Sequence, residues 1–434
     1  MTGVPYPSRR AVAVIDGEHY APVVREALEA VDELVVAAVL VGGTEKLRGG
    51  ERYGVPVVAS LEDAIALHAP DVVLDLSDEP VLGPADRLAL ASHALALGVP
   101  YEGADFRLEP PVFAPVDVPA LAVIGTGKRV GKTAVTGHVA RLLARSSRVV
   151  VVAMGRGGPE EPEIVQAPPS VESLLALSRA GRHAASDHLE TALVAGVETV
   201  GCRRCGGGLA GAVGHSNVAA GARLAASLGP DLVLFDGSGA ALPPVAADAR
   251  LLVVGAHQDP RVSAGYLNAY RALLADVVVV TMAEASAPHA VVAEAVRRVA
   301  RPGIPVVRAV LRPRPLEPVA GEPVAWFGTA PPAQSPQIAT HLAEAHGAQV
   351  VHVSSSLGDR LALRAELEHV DAATFVVELK AAAVDVVVEE AARRGIRVVV
   401  AANDVLPLPG EPDLDGLVEE LAARSRGRVR EAVR

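Results

Sequence analysis

Short runs of Val, Ile and Leu alternate along this chain with longer Ala/Leu/Glu/Arg stretches whose apolar positions recur at helical spacing. Continuous apolar runs of that length mark strands covered on both faces, so the alternation is that of βα units around a parallel sheet. Strands are expected at Ala11 to Ile15, Leu34 to Val41 and Val72 to Leu76. Six more follow, at Leu121 to Ile124, Val149 to Ala153, Leu232 to Phe235, Leu251 to Val254, Val277 to Val280 and Pro305 to Val310. The last four are Val324 to Phe327, Val350 to Val353, Phe375 to Leu379 and Val398 to Ala401. Two proline-rich stretches, Glu109 to Pro119 and Arg312 to Pro318, read as dividers, because proline continues neither a helix nor a central strand. They imply three three-layer α/β units, at 1–115, 119–318 and 319–434, each of ordinary domain size.

Composition narrows the chemistry. The 434 residues carry a formal net charge of -11, which argues against general binding to nucleic acid or to an anionic membrane. No apolar run reaches the roughly 18 residues a membrane helix needs, the N-terminal run stops at Asp16, and two cysteines are too few for a disulfide framework. A cytoplasmic protein is expected. Only four lysines (Lys46, Lys128, Lys132, Lys380) stand beside 36 arginines, so a position that holds Lys invites a reason.

Two of the four fall in Leu121-Ala-Val-Ile-Gly125-Thr126-Gly127-Lys128-Arg129-Val130-Gly131-Lys132-Thr133-Ala134, where a strand, a Gly-rich turn and a helix start follow in order. Small residues there let backbone N–H groups converge on phosphate oxygens, Lys132 would bridge the β- and γ-phosphates of ATP, and Thr133 would ligate Mg²⁺. The strict phosphate-loop pattern has Gly six places before the lysine; here Thr126 holds that place and Gly125 precedes it. The 119–318 unit is therefore expected to be the ATP-binding catalytic domain, a P-loop fold with a parallel sheet, flanked by two smaller α/β domains of which the first is Rossmann-like.

Other candidates follow predicted strands. Asp236, in Phe235-Asp236-Gly237-Ser238-Gly239, is a candidate Mg²⁺ ligand and catalytic carboxylate, and Arg156, in Met154-Gly155-Arg156-Gly157-Gly158, could clamp a phosphate bidentately. Val200-Gly-Cys202-Arg203-Arg204-Cys205-Gly206-Gly207-Gly208 reads as a loop that could cradle a second phosphate with Arg203, Arg204 and the N–H groups of Gly206 and Gly207. Its cysteines could be packing residues, two of four zinc ligands, or a redox pair. Lys128, Arg129, Arg156, Arg203 and Arg204 make a basic set within an acidic chain, as a small, highly charged anion besides ATP would require.

The phosphate loop is similar to that of dethiobiotin synthetases, which phosphorylate a substrate acid and close a ring. With Asp16-Gly-Glu18-His19-Tyr20, Gly-Cys-Arg-Arg-Cys-Gly-Gly-Gly and Val377-Glu378-Leu379-Lys380-Ala381, nearly the whole chain resembles the cyclic 2,3-diphosphoglycerate synthetases. That resemblance implies ATP-dependent closure of an intramolecular phosphoanhydride in 2,3-diphosphoglycerate, with release of ADP and phosphate. It also singles out His19 and Lys380 as substrate contacts, and Thr281-Met-Ala-Glu284 occupies the place where P-loop relatives read the base. P-loop relatives are often oligomeric, so a homodimer is expected. Two other readings remain open here: a P-loop kinase or ligase acting on another polyanionic acid, and a nucleotide-switch metallochaperone that uses Cys202 and Cys205 as a metal relay.

Overall fold

The computed structural model describes residues 8–285 and 287–432. Six strands form the first sheet: β1 (Arg10–Ile15), β2 (Leu34–Leu40), β3 (Val57–Val58), β4 (Val72–Asp75), β5 (Tyr101–Gly103) and β6 (Phe106–Leu108), in the order β3-β2-β1-β4-β5-β6. All neighbours pair in parallel except β5 and β6. Helices α1 (Ala21–Ala30), α2 (Leu61–His68) and α3 (Pro84–Ala96) connect and cover it. The sheet order reverses between β1 and β4, and Asp16 to Tyr20 lie just past the end of β1 at that crevice.

The second sheet contains every remaining strand of the described residues. These are β7 (Ala120–Gly125), β8 (Val149–Gly155), β9 (Glu163–Val165), β10 (Thr199–Cys205), β11 (His215–Ser216), β12 (Leu232–Asp236), β13 (Ala249–Gly255), β14 (Val277–Thr281) and β15 (Val306–Pro315). They are joined by β16 (Pro323–Phe327), β17 (Gln349–Ser354), β18 (Thr374–Glu378) and β19 (Arg397–Pro407). The order is β11-β10-β8-β12-β7-β13-β14-β15-β19-β18-β16-β17, with β9 against β10. β7, β8, β12 and β14 are buried along their whole length, which is why their sequences are unbroken Val/Ile/Leu/Ala runs rather than alternating ones. Among the covering helices are α4 (Lys132–Leu143), α5 (Val171–Arg179), α6 (Asp187–Ala195) and α7 (Val218–Ser227).

Two segments differ from the sequence expectation. The second proline stretch is not a divider along its whole length, since Arg312-Pro313-Arg314-Pro315 continues β15 and pairs antiparallel with β19. The prolines are tolerated because they alternate with the pairing residues. Leu408 N–H donates to Arg308 O and Leu316 N–H to Val400 O, so even-numbered residues face β19, and the odd-numbered Pro313 and Pro315 turn their missing N–H the other way, past the end of β14. Likewise Cys202, Arg203, Arg204 and Cys205, expected on a loop, extend β10, where Cys202 and Arg203 pair with Met154 and Gly155, and Arg204 and Cys205 with Ser216 and His215. The last helix, Leu414–Ala432, returns to the middle of the chain: Leu414, Val418, Leu421 and Ala422 share a core with Leu121, Val123, Val135 and Val139.

Candidate active site

The carboxyl ends of β7, β8 and β12 converge with the start of α4. β7 ends at Gly125, the chain turns through Arg129 (φ +58°) and Gly131 (φ +85°), and α4 begins at Lys132. Lys132 folds back over the turn it follows, with Nζ donating to Gly127 O at 2.7 Å. Its stem crosses Gly125 so closely that a Cβ there would lie 2.8 Å from Lys132 Cδ, which explains a glycine one place earlier than the strict pattern asks. Thr126 is buried and its hydroxyl donates to Gln258 Oε1, so its side chain points to the turn after β13 and not into the loop. Thr281 Oγ1 donates to Val130 O at 2.7 Å, which fixes the segment expected to read the base against the loop. Burial pushes the Lys132 ammonium down to about 8, with Arg204 and Arg156 reinforcing the shift and Asp236 and Asp187 opposing it.

Asp236 closes β12 beside this ammonium. It is 5% exposed and accepts from Thr136 Oγ1 at 2.9 Å and Thr191 Oγ1 at 3.3 Å. Burial raises its carboxyl to about 6 against the pull of those hydroxyls and Lys132. Asp187, Glu190 and Thr191 come from the first turns of α6, at a spacing that places them on one helix face. Asp187 overlies the end of β8, where a Cβ on Gly155 would meet its Oδ2 at 2.8 Å. None of the three was anticipated from sequence; the available signal was Ser186-Asp187-His188-Leu189-Glu190, a helix start rich in carboxylates. Hydroxyl and carboxylate oxygens are the hard donors Mg²⁺ takes. Thr133, in the first turn of α4, and Asp236, with both oxygens already engaged by threonines, therefore suit a partly hydrated Mg²⁺.

The basic set is gathered only in part. Arg204 Nη2 donates to Ser238 O at 2.9 Å and Nη1 to Gly206 O at 2.9 Å, tying the end of β10 to the turn after Asp236. Burial and the nearby Arg156 hold Arg204 below its usual value. Gly239 in that turn lies close to both Arg204 and Lys128. Arg203 reaches Glu160 at 3.7 Å, while Arg129 is exposed and forms no ion pair among the described residues. Gly206 and Gly207 are exposed. Lys380, from the turn after β18, lines a small cavity together with Thr133 and Ala134, so the third segment does reach the phosphate loop. His19 sits elsewhere: its Nδ1 is 2.9 Å from the buried Asp16, its Nε2 is 3.5 Å from Asp78, and no hydrogen bond among the described residues links it to the loop.

The three readings of the cysteine pair are narrowed by its place on a strand. Side chains three apart on a strand point to opposite faces. Cys202 is accordingly buried against Gly221 of α7, and Cys205 is exposed. The two cannot share a zinc ion or close a disulfide, and burial pushes the Cys202 thiol up to about 12, away from thiolate chemistry.

A lysine turned back over a Gly-rich turn between a buried parallel strand and a helix, with a carboxylate ending the neighbouring strand, defines a P-loop nucleotide-binding protein. Three domain models of one family match the chain: cyclic 2,3-diphosphoglycerate synthetase N-terminal domain at 10–109, P-loop domain at 120–308 and C-terminal domain at 315–404. Proteins named cyclic 2,3-diphosphoglycerate synthetase are 51% identical in Rubrobacter xylanophilus (96% of this chain, 98% of that one), 45% in Thermococcus gammatolerans (96% and 98%) and 39% in Methanothermus fervidus (91% and 93%). The chain belongs to the cyclic 2,3-diphosphoglycerate synthetase family. Among solved structures it is distantly similar to LpxK from Aquifex aeolicus in complex with ATP, at 16% identity and TM-score 0.42 over 71% of this chain and 90% of that one. A second is the hydrogenase maturation factor HypB from Archaeoglobus fulgidus, at 13% identity and TM-score 0.29 over 45% and 82%. No helix among the described residues is long and apolar enough to cross a membrane.

Proposed function

We propose that this chain uses ATP to convert 2,3-diphosphoglycerate into its cyclic phosphoanhydride, releasing ADP and inorganic phosphate. The observation that carries the reading is the confluence of a buried lysine, a buried carboxylate, Arg156 and Arg204 at one sheet edge, in a chain that aligns with these synthetases over nearly their whole length. One phosphate oxygen of the substrate attacks the γ-phosphorus as the bond to ADP breaks. An oxygen of the other substrate phosphate then attacks the activated phosphorus, and inorganic phosphate leaves as the ring closes. Such transfers run on alignment and charge neutralisation.

In this reading the N–H groups of Gly125 to Ala134 and the Lys132 ammonium hold the β- and γ-phosphates. Thr133 and Asp236 hold Mg²⁺, which when bound withdraws charge from the phosphate oxygens. Lys128 and Arg156 neutralise the transferring group; Arg129, Arg203, Arg204 and the N–H groups of Gly206 and Gly207 receive the diphosphoglycerate. Lys380 approaches from the C-terminal side, and His19 contacts substrate from the N-terminal domain. We expect a cytoplasmic enzyme acting on small molecules as a homodimer, on the strength of its two free cysteines and the habit of P-loop relatives. The deciding experiment incubates purified protein with Mg-ATP and 2,3-diphosphoglycerate and follows phosphorus NMR. A cyclic phosphoanhydride with stoichiometric ADP is expected; ADP without cyclic product would overturn the assignment.

A further inference from the structure

Between α4 and the third segment lie charges that phosphate binding by the loop leaves unassigned. Where α4, α6, the end of β18 and the middle of β19 meet lies a cavity of about 10 Å³, room for one water, lined among others by Thr133, Ala134, Glu190, Glu378, Lys380 and Asn403. Glu378 is well held: Thr329 N–H, Thr329 Oγ1 and Asn403 Nδ2 donate to it at 2.9, 3.0 and 2.9 Å. Glu190 is only 9% exposed, and its carboxylate accepts no hydrogen bond within 3.5 Å among the described residues. Between the two carboxylates stands Lys380, its Nζ 3.7 Å from Glu190 and 3.8 Å from Glu378, beyond hydrogen-bond reach of either. An ammonium so placed can donate to an incoming phosphate oxygen without giving up a bond.

We propose that Glu190 is the positioning residue for Lys380: together with Glu378 it suspends that ammonium at the first turn of α4, coupling the C-terminal segment to the nucleotide's phosphates. The coupling spans two parts of the chain, since Glu190 lies on α6 and Lys380 on the turn after β18. It rests on the cyclisation reading only for the turnover that is measured.

The two carboxylates are not equivalent. Burial pushes Glu190 up to about 7, with Asp187 on its own helix, Glu378 from β18 and Asp236 from β12 adding to the rise and Lys380 opposing it, while Arg141 of α4 lines the same cavity. Burial also works against Glu378, but Lys380, Asn403 and Thr329 outweigh it and hold that carboxyl below its usual range. Glu190 therefore takes up a proton as pH falls through about 7 and leaves Lys380 to Glu378 alone.

Four lysines make the test direct, because reductive ¹³C-methylation gives few resonances and Lys380→Arg identifies one of them. The Lys380 methyl resonance is expected to inflect near pH 7, to lose that inflection in Glu190→Gln, and to shift on addition of Mg-ATP. In turnover, Glu190→Gln is expected to lower kcat about tenfold at pH 8 with KM for ATP within about threefold, and to lose the acidic limb near pH 7, which Glu190→Asp restores. A wild-type resonance without an inflection overturns the proposal even if the Gln variant misfolds; so does a Gln variant with the wild-type limb and rate. Wild-type protein that makes no cyclic product refutes the cyclisation reading instead and leaves the resonance test standing.

Discussion

Nucleotide binding is expected to take up a proton at Lys132. In the free protein burial holds this ammonium at about 8, whereas phosphate oxygens on the loop would stabilise its charge and return it to at least about 10.4, its unperturbed value. At pH 7 the free lysine is already protonated, so binding of a non-hydrolysable ATP analogue takes up only about 0.1 proton. At pH 8 it takes up about 0.5, and at pH 9 about 0.9. Asp236, at about 6, and Glu190, at about 7, are largely ionised by pH 8 and add little to that rise. A rise from about 8 to about 10.4 corresponds to roughly 3 kcal/mol of differential interaction, so affinity stays flat below pH 8 and weakens up to about tenfold per pH unit above it. Calorimetry in buffers of different ionisation enthalpy reads the proton count directly. An uptake that does not rise between pH 7 and 9, or that persists in Lys132→Met, refutes the placement of Lys132 against the phosphates. The same depressed value means that the unfolded chain holds a proton the folded one has lost between about pH 8 and 10, so this group makes the nucleotide-free protein more stable as pH rises through that window.

Three further outcomes follow from the geometry. Gly125→Ala is expected to raise KM for ATP tenfold or more while unfolding by denaturant shifts by only about 1 kcal/mol, because the atoms nearest the added Cβ belong to the flexible Lys132 side chain; unchanged KM would show that the stem need not cross that position. Arg203→Ala is expected to weaken 2,3-diphosphoglycerate more than ATP in steady-state kinetics, and an equal loss for both would remove its assigned role. Thiol titration is expected to find Cys205 fast and Cys202 reactive only after unfolding, and an oxidant that joins the two within one chain would contradict their opposite faces on β10.

The alternation of apolar runs and helical stretches was enough to locate thirteen of the nineteen strands among the described residues, since strands buried on both faces write their burial directly into composition. The six that escaped are the two-residue and three-residue strands, which hold too few residues to show a period, and β10. There Gly201, Arg203, Arg204 and the cysteines imitate a loop, although parallel pairing with β8 and the packing of Cys202 on α7 hold the segment extended. The phosphate loop was legible because its chemistry demands particular residues at fixed spacing. Asp187 and Glu190 were not, because a carboxylate in the first turn of a helix is ordinary capping composition until the fold brings it over a neighbouring strand. Nor does any hydrogen bond among the described residues link His19 to the loop; sequence can name such a residue without fixing its distance.

The strand that carries Pro313 and Pro315 gives the site a mechanical property. Because β15 passes without a break from β14 to β19, the phosphate loop and the Lys380 turn hang from one plate and cannot swing apart without tearing the pairing from Ala309 to Pro315. The ammonium is thus set beside the loop when the chain folds, and no binding energy is drawn off to bring it there. The N-terminal domain has its own sheet, yet it is held to the same body: Ala91 and Leu95 of α3 belong to one hydrophobic cluster with Leu267 and Tyr270 of the central segment.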